Sequence, residues 1–240
     1  MKSEPAFSEI AERVAVRCAE HGLDLVHPFS IGWYNDRLPP DVRRLPDFNR
    51  PALGLIIANT RAFWPAVKAA LARDPELGDT ADPIDRYVEI TVGQALSGID
   101  QASIVLFSHQ NRAEPLPVQR IAQAAGFAKL APSHLSVHRE HGPWIALRAV
   151  VVVDVDGPGD PPPEPFDPCT PCPKPCLVAL DRALELTAHR VDALSVAQSF
   201  RAWLAVRDAC PIGSAQRYSD EQIEYHYTKA RELLSSGRRK

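Results

Sequence analysis

Residues 156–176 read DGPGDPPPEPFDPCTPCPKPC and hold nine of the 23 prolines in the chain. Proline locks φ and has no N–H to donate, so this stretch can be neither helix interior nor central strand. It predicts a stiff, extended connector. The connector divides the 240 residues into a core over 1–155, the linking segment 156–176 and a C-terminal cap over 177–240.

Upstream, helical and strand patterns alternate. Phe7, Ile10, Val14 and Cys18 recur at helical spacing, with Ser8 as the expected cap, Gly22 as the stop and Cys18 as plain core. Leu23–Ile31 has strand character, which Pro28 should break. Leu53–Ala58 (LGLIIA) is short and continuously apolar, as in a strand covered on both faces. Arg61–Arg73 and Pro83–Leu96 read as helices, the second capped by Asp82 with Pro83 in its first turn. Ala102–Ser108 is a second apolar strand and Val118–Gly126 a further helix. Leu135–Arg139 and Trp144–Asp154 predict an antiparallel pair. Beyond the connector, Leu177–Leu186, Val196–Ala209 and Glu221–Leu234 predict helices, and Leu38-Pro39-Pro40 a rigid turn. Helices and strands so mixed, with hairpin character late, predict an α+β fold with a sheet flanked by helices.

Charge narrows the function. With 27 basic and 30 acidic side chains, net −3, the chain is no bulk-charge nucleic-acid binder. Met1–Ala11 lacks an apolar signal core, and the apolar run around Ala146–Val153 is far shorter than the roughly 20 residues of a membrane span. A cytoplasmic protein without membrane or nucleic-acid partners is expected. No Walker loop, GxGxxG, HExxH or GxSxG occurs, and Asp82 with Asp85 reads as a helix start rather than an acid pair.

Four of the five cysteines lie in the last third, as Cys169-x2-Cys172-x3-Cys176 and the distant Cys210-Pro211. Four thiolates suit tetrahedral zinc or a 4Fe–4S cluster, although this spacing only partly matches ferredoxin runs. Free thiols in a loop are the other reading.

Three ordered blocks resemble the CblC (MMACHC-like) cobalamin-processing family. The first is Pro28-Phe29-Ser30-Ile31-Gly32-Trp33-Tyr34-Asn35-Asp36-Arg37-Leu38-Pro39-Pro40, similar to the family's PF-x-x-x-WYN-x-x-LPP. The second is Gly142-Pro143-Trp144-Ile145-Ala146-Leu147-Arg148, similar to GGWFAIRG. The third is Arg207-Asp208-Ala209 followed by Gln216-Arg217-Tyr218-Ser219-Asp220-Glu221-Gln222, similar to RDA…ERYSEEQ. The resemblance implies a nitroreductase-like fold whose first 155 residues bind cobalamin and whose cap completes the site. It implies reductive decyanation with flavin (FMN) and dealkylation with glutathione as nucleophile. The same fold occurs in epoxyqueuosine reductase, which adds iron–sulfur clusters, and the cysteines point towards that branch.

Particular residues follow. Phe29, Trp33, Tyr34, Asn35, Trp144 and Tyr218 offer aromatic walls and polar partners to a flat macrocycle, core packing being the other reading for each aromatic. Arg148, inside the apolar WIALRAVVVV, must pair or line a cavity. By resemblance Arg148, Arg207 and Arg231 match arginines that bind glutathione carboxylates. Gln123 stands where the family has a cavity histidine, so no imidazole contact carries over. His134, His138, His141 and His226 are candidate ligands or acids, but none has a diagnostic spacing, and the surface or structural reading is favoured for each. Three functions stay open: reductive removal of the upper axial ligand of cobalamin, an iron–sulfur corrinoid-dependent reductase or electron-transfer protein, and a non-catalytic carrier with structural zinc. An electron-donor protein or a downstream cobalamin acceptor would be the partner.

Overall fold

The computed structural model describes residues 6–39, 42, 44–110, 114–160, 164 and 166–234. Pro40 of the expected turn, and 161–163 and 165 of the connector, lie outside them. In order, the elements are α1 (Phe7–Ala19), β1 (Leu25–Ser30), α2 (Ile31–Asn35), β2 (Ala52–Asn59), α3 (Phe63–Arg73), α4 (Pro75–Asp79) and α5 (Pro83–Leu96). Then follow β3 (Ser103–Phe107), α6 (Val118–Ala124), β4 (Ala128–Leu130), β5 (Ser136–His138) and β6 (Ala146–Asp156). The cap holds α7 (Pro175–Leu186), α8 (Ala193–Gln198), α9 (Phe200–Asp208) and α10 (Asp220–Thr228).

The main sheet runs β1-β2-β6-β3 with every pair antiparallel. All of β2 is buried, as its continuous apolar run predicts, because helices cover both faces. On one face Leu53, Leu55, Ile57, Val151 and Val153 pack with α1, α3 and α5 through Val14, Phe63, Val67 and Val88. On the other, Ile56, Ala58, Val150 and Val152 pack with Ile31, Tyr34, Ile121 and Phe127.

Several expectations are corrected. Pro28 does not break β1: the strand is at the sheet edge, paired only with β2, so a missing donor is tolerated. β5 pairs with β4, and only a bridge from His138 to Gly142 joins it to the following turn, because both edges of β6 are already taken by β2 and β3. Ser8 lies inside α1, whose N-cap is Ala6. The helix predicted over Val196–Ala209 is two, meeting at Ser199, and the last helix stops at Lys229, which adopts a left-handed φ of 58° before a 3-10 turn at Arg231–Leu234. Asp82 caps α5 as expected, accepting from the Asp85 N–H at 3.4 Å, and Cys18 is fully buried core.

Several contacts tie the cap to the core, among them one at Glu221 and one at a pair of glycines. Glu221, in the first turn of α10, accepts from Trp64 Nε1 at 2.7 Å and pairs with Lys68 at 2.6 Å, both on α3. Gly142 and Gly213 cross in backbone contact. A Cβ on Gly142 would lie 1.8 Å from the Ile212 carbonyl oxygen, and one on Gly213 2.2 Å from the His141 carbonyl carbon. Both have positive φ, so only glycine permits the crossing without strain.

Candidate functional site

The β2–β6 register carries Ile57 opposite Ala149 and then Ala58 opposite Leu147, which leaves Arg148 as an extra residue. Such a bulge re-aims a side chain. Leu147 packs with the α2/α6 layer, whereas the Arg148 guanidinium stands 4.9 Å from the Phe63 ring centroid in the opposite layer. There Arg148 Nε donates to Asn59 Oδ1 at 2.7 Å, while its buried Nη2 has no partner. Burial disfavours its charge, and the Tyr218, Asp85 and Asp82 side chains act against that.

The cap closes a cavity of about 220 Å³ over this arginine, lined by Trp144, Arg148, Arg207, Tyr218, Ile223, His226 and neighbours. Arg207, at the end of α9, donates to the Pro143 carbonyl. Tyr218 meets Trp144 edge-on at 5.6 Å, and its hydroxyl donates to the Asn59 carbonyl at 3.4 Å. Burial pushes the Tyr218 phenol up to about 12, so it stays protonated. His226 is held neutral, well below the ordinary imidazole value, by burial and by Arg148, Lys229 and Arg207. The described lining thus carries two guanidiniums and no carboxylate, a donor set whose chemistry suits carboxylate or phosphate.

A larger cavity, about 590 Å³, is lined by Tyr34, Arg44, Leu45, Leu106, Phe107, Leu116 and others. Asn35 does not face it. Its amide donates to the Leu45 carbonyl and accepts from the Leu45 N–H, both at 2.9 Å, so it shapes the wall from behind. Trp33 packs, partly buried, in the same layer. The two cavities flank one end of the sheet: Phe107 pairs with Ala149, and the Ser108 N–H donates to the Arg148 carbonyl at 2.9 Å.

Other sequence candidates lie elsewhere. Phe29 is fully buried, its ring against Gly54, where a Cβ would come within 2.4 Å of it. Gln123 is exposed and accepts from the Leu130 N–H at 3.0 Å, bracing the α6–β4 turn. Arg231 donates to the Gly78 and Thr80 carbonyls, each at 2.7 Å, and is not among the residues lining the Arg148 cavity. One neighbour of the lining escaped the sequence reading, and one lining residue stood there only as one of four histidines without diagnostic spacing. Asn59 ends an apolar strand as its one polar residue, and His226 shares a helix face with Ile223, three residues before it.

Cys169, Cys172, Cys176 and Cys210 all line a third cavity of about 60 Å³, between the connector and the segment after α9. The Lys174 N–H points at Cys172 Sγ at 3.4 Å. Burial and the neighbouring cysteines raise the Cys169 and Cys210 thiols. Among the described residues, however, no three His, Cys, Asp or Glu side chains stand in a metal-holding arrangement. The all-sulfur donor set suits a thiophilic metal, but the geometry does not form a closed cage.

Over 97% of its length the chain is 26% identical to the human cyanocobalamin reductase / alkylcobalamin dealkylase, of which it covers 82%. The mouse protein of that name is 24% identical over the same share. The C. elegans B12-trafficking protein CblC superposes with a TM-score of 0.69 at 19% identity, covering 95% of this chain and 94% of that one. The chain thus resembles these proteins over nearly all of its length. An epoxyqueuosine reductase superposes more loosely, with a TM-score of 0.52 at 15% identity over 89% of this chain and 68% of that one. No family model matches. The CblC likeness agrees with the α+β architecture, its antiparallel sheet flanked by helices. Among the described residues no helix is long and apolar enough to cross a membrane.

Proposed function

We propose that this chain binds cobalamin and removes its upper axial ligand, by reductive decyanation and by dealkylation. The observation that carries the reading is the buried, unpartnered Nη2 of Arg148 in a cavity that also holds Arg207. Unpaired buried donors are costly, so such an atom is kept for a ligand. Two guanidiniums around 220 Å³ fit a small thiol bearing carboxylates, glutathione being the candidate. The 590 Å³ cavity under Tyr34 lies within the roughly 300–1,000 Å³ usual for cofactor-sized ligands and offers the corrinoid its largely apolar wall. The names of the full-length relatives support the same activity. No residue is assigned to FMN, and the electron donor is an external reductant or protein.

A second reading, an iron–sulfur or zinc-bearing relative of the reductase branch, is favoured by the convergence of four sulfurs on one cavity. No step of the cobalamin chemistry is routed through it. The ultraviolet–visible spectrum of anaerobically purified protein, before and after cyanocobalamin and a reductant, tests both. A base-off shift followed by loss of the cyanide-bound bands supports the processing enzyme. A shift that persists unchanged under reductant makes the chain a carrier, and no shift overturns the reading. Absorption near 400 nm before addition supports a cluster; a colourless, zinc-containing protein supports the ion.

A further inference from the structure

His226 is a further polar wall of the Arg148–Arg207 cavity. It lies on α10 with Ile223 and Tyr227, which line the same cavity. Its ring is packed by Tyr218 at 5.9 Å, Tyr225 at 6.0 Å and Trp64 at 6.3 Å, so the imidazole has a set orientation. Gln222, fully buried, brings its Nε2 to 3.5 Å from His226 Nε2. The charged groups acting on the imidazole are Arg148, Lys229 and Arg207, all cations. Tyr218 and Tyr225 beside it stay protonated, each pushed up to about 12. Empty, the cavity therefore presents an unprotonated imidazole beside two anion-binding guanidiniums.

We propose that His226 is the catalytic base of this cavity, taking the proton of a thiol whose carboxylates Arg148 and Arg207 hold. The inference rests on the thiol-dependent dealkylation proposed above. A free thiol with a pKa near ~8.5 is only a few per cent ionised at neutral pH, and the thiolate is the nucleophile. The S–H proton passes to the imidazole. The sulfur forms a bond to the alkyl carbon of the substrate, the cobalt–carbon bond breaks, and its electron pair stays on cobalt. The products are a thioether, the corrinoid reduced by two electrons, and a proton that His226 returns to water. Binding also prepares the base. Carboxylates held by Arg148 and Arg207 offset two of the cations that, after burial, lower the imidazole, so its proton affinity rises when the thiol binds.

The test compares wild type with His226→Gln, using methylcobalamin and glutathione from about pH 6 to about pH 9.5. The expected result is a loss of kcat of about 10²-fold at neutral pH with little change in KM for glutathione. That loss should shrink above pH ~8.5, where the thiol ionises unaided. An unchanged rate, or a loss equal at every pH, overturns the proposal. Wild type that leaves methylcobalamin intact with glutathione overturns the thiol reading itself, which is a separate outcome. If His226→Gln does not fold, the wild-type profile decides. A kcat limb at saturating thiol with its midpoint below ~8.5 supports the base, and a rate that only tracks the free thiol's ionisation overturns it.

Discussion

Arg148 Nε donates to Asn59 Oδ1 at 2.7 Å, across the one-residue irregularity where β6 outruns β2. Asn59 is fully buried and also bonds outward through its Nδ2 to the Thr60 carbonyl at 2.9 Å and through its own carbonyl to Tyr218. One residue at a strand end thus fixes both the arginine and the tyrosine of the cavity. The inner nitrogen of the arginine is used by Asn59, while its buried Nη2 has no partner among the described residues.

Arg148→Ala should lower kcat/KM for glutathione by more than it weakens cobalamin binding. Removing the donor also leaves Asn59 Oδ1 buried and unpaired, a cost of about 1–3 kcal/mol in stability. Arg148→Lys keeps the charge but not the fork of donors, so KM for the thiol should rise while the protein stays folded. Steady-state kinetics beside a cobalamin titration checks this, and equal loss of both functions would assign Arg148 to the fold or the corrinoid.

Gly142→Ala should be among the most damaging small substitutions in the chain. It adds a methyl 1.8 Å from the Ile212 oxygen at a φ of +54°. A loss of about 3 kcal/mol, or about 6 °C or more in Tm, is expected. Gly78→Ala is the control, since its Cβ meets nothing within 4 Å. Thermal melts of the two variants that coincide would refute the crossing as a clamp between core and cap.

Acid should destabilise the protein through its neutral histidines. Burial, with His141 adding to it, lowers His138 from 6.5 to about 4, and His226 is lowered as well. Below pH 6.5 the unfolded chain takes up protons that the folded one refuses. The contribution is therefore complete above pH 6.5 and is lost as pH falls from there towards about 4. Tm measured across this range should fall, and His138→Gln should flatten the slope. A wild-type Tm that holds level from pH 7 to pH 4.5 would contradict the assignment.

Cys172→Ser should leave the cobalamin-induced spectral shift intact, because the cysteine cavity shares no lining residue with either of the other two. Any metal or cluster absorption should be lost in the same variant. A weakened shift with cobalamin would instead link the cysteine pocket to the corrinoid site.

The elements themselves were legible wherever a local rule governs them. The buried strand at Leu53–Ala58, the Asp82 cap with Pro83 in the first turn, and the core role of Cys18 all depend on neighbours within a few residues. The partner of β5 was not legible. Pairing depends on which edges other strands have already taken, and β2 and β3 lie far away in sequence. The surroundings of Phe29 and Asn35 were not legible for a related reason: Gly54, against Phe29, and Leu45, bonded to Asn35, come from other segments of the chain.

From sequence alone the chain declared its class, its proline-marked connector, its four-cysteine segment and its likeness to the cobalamin-processing proteins, because composition, spacing and ordered motifs are properties of the chain itself. Only the tertiary structure decided that Arg148 and Arg207 share a cavity while Arg231 does not, and that His226 completes it. The reason is geometric. A bulge in β6, the crossing of Gly142 with Gly213 and the hold of Glu221 on α3 bring together residues from both sides of the connector, and no local pattern records where such distant segments meet.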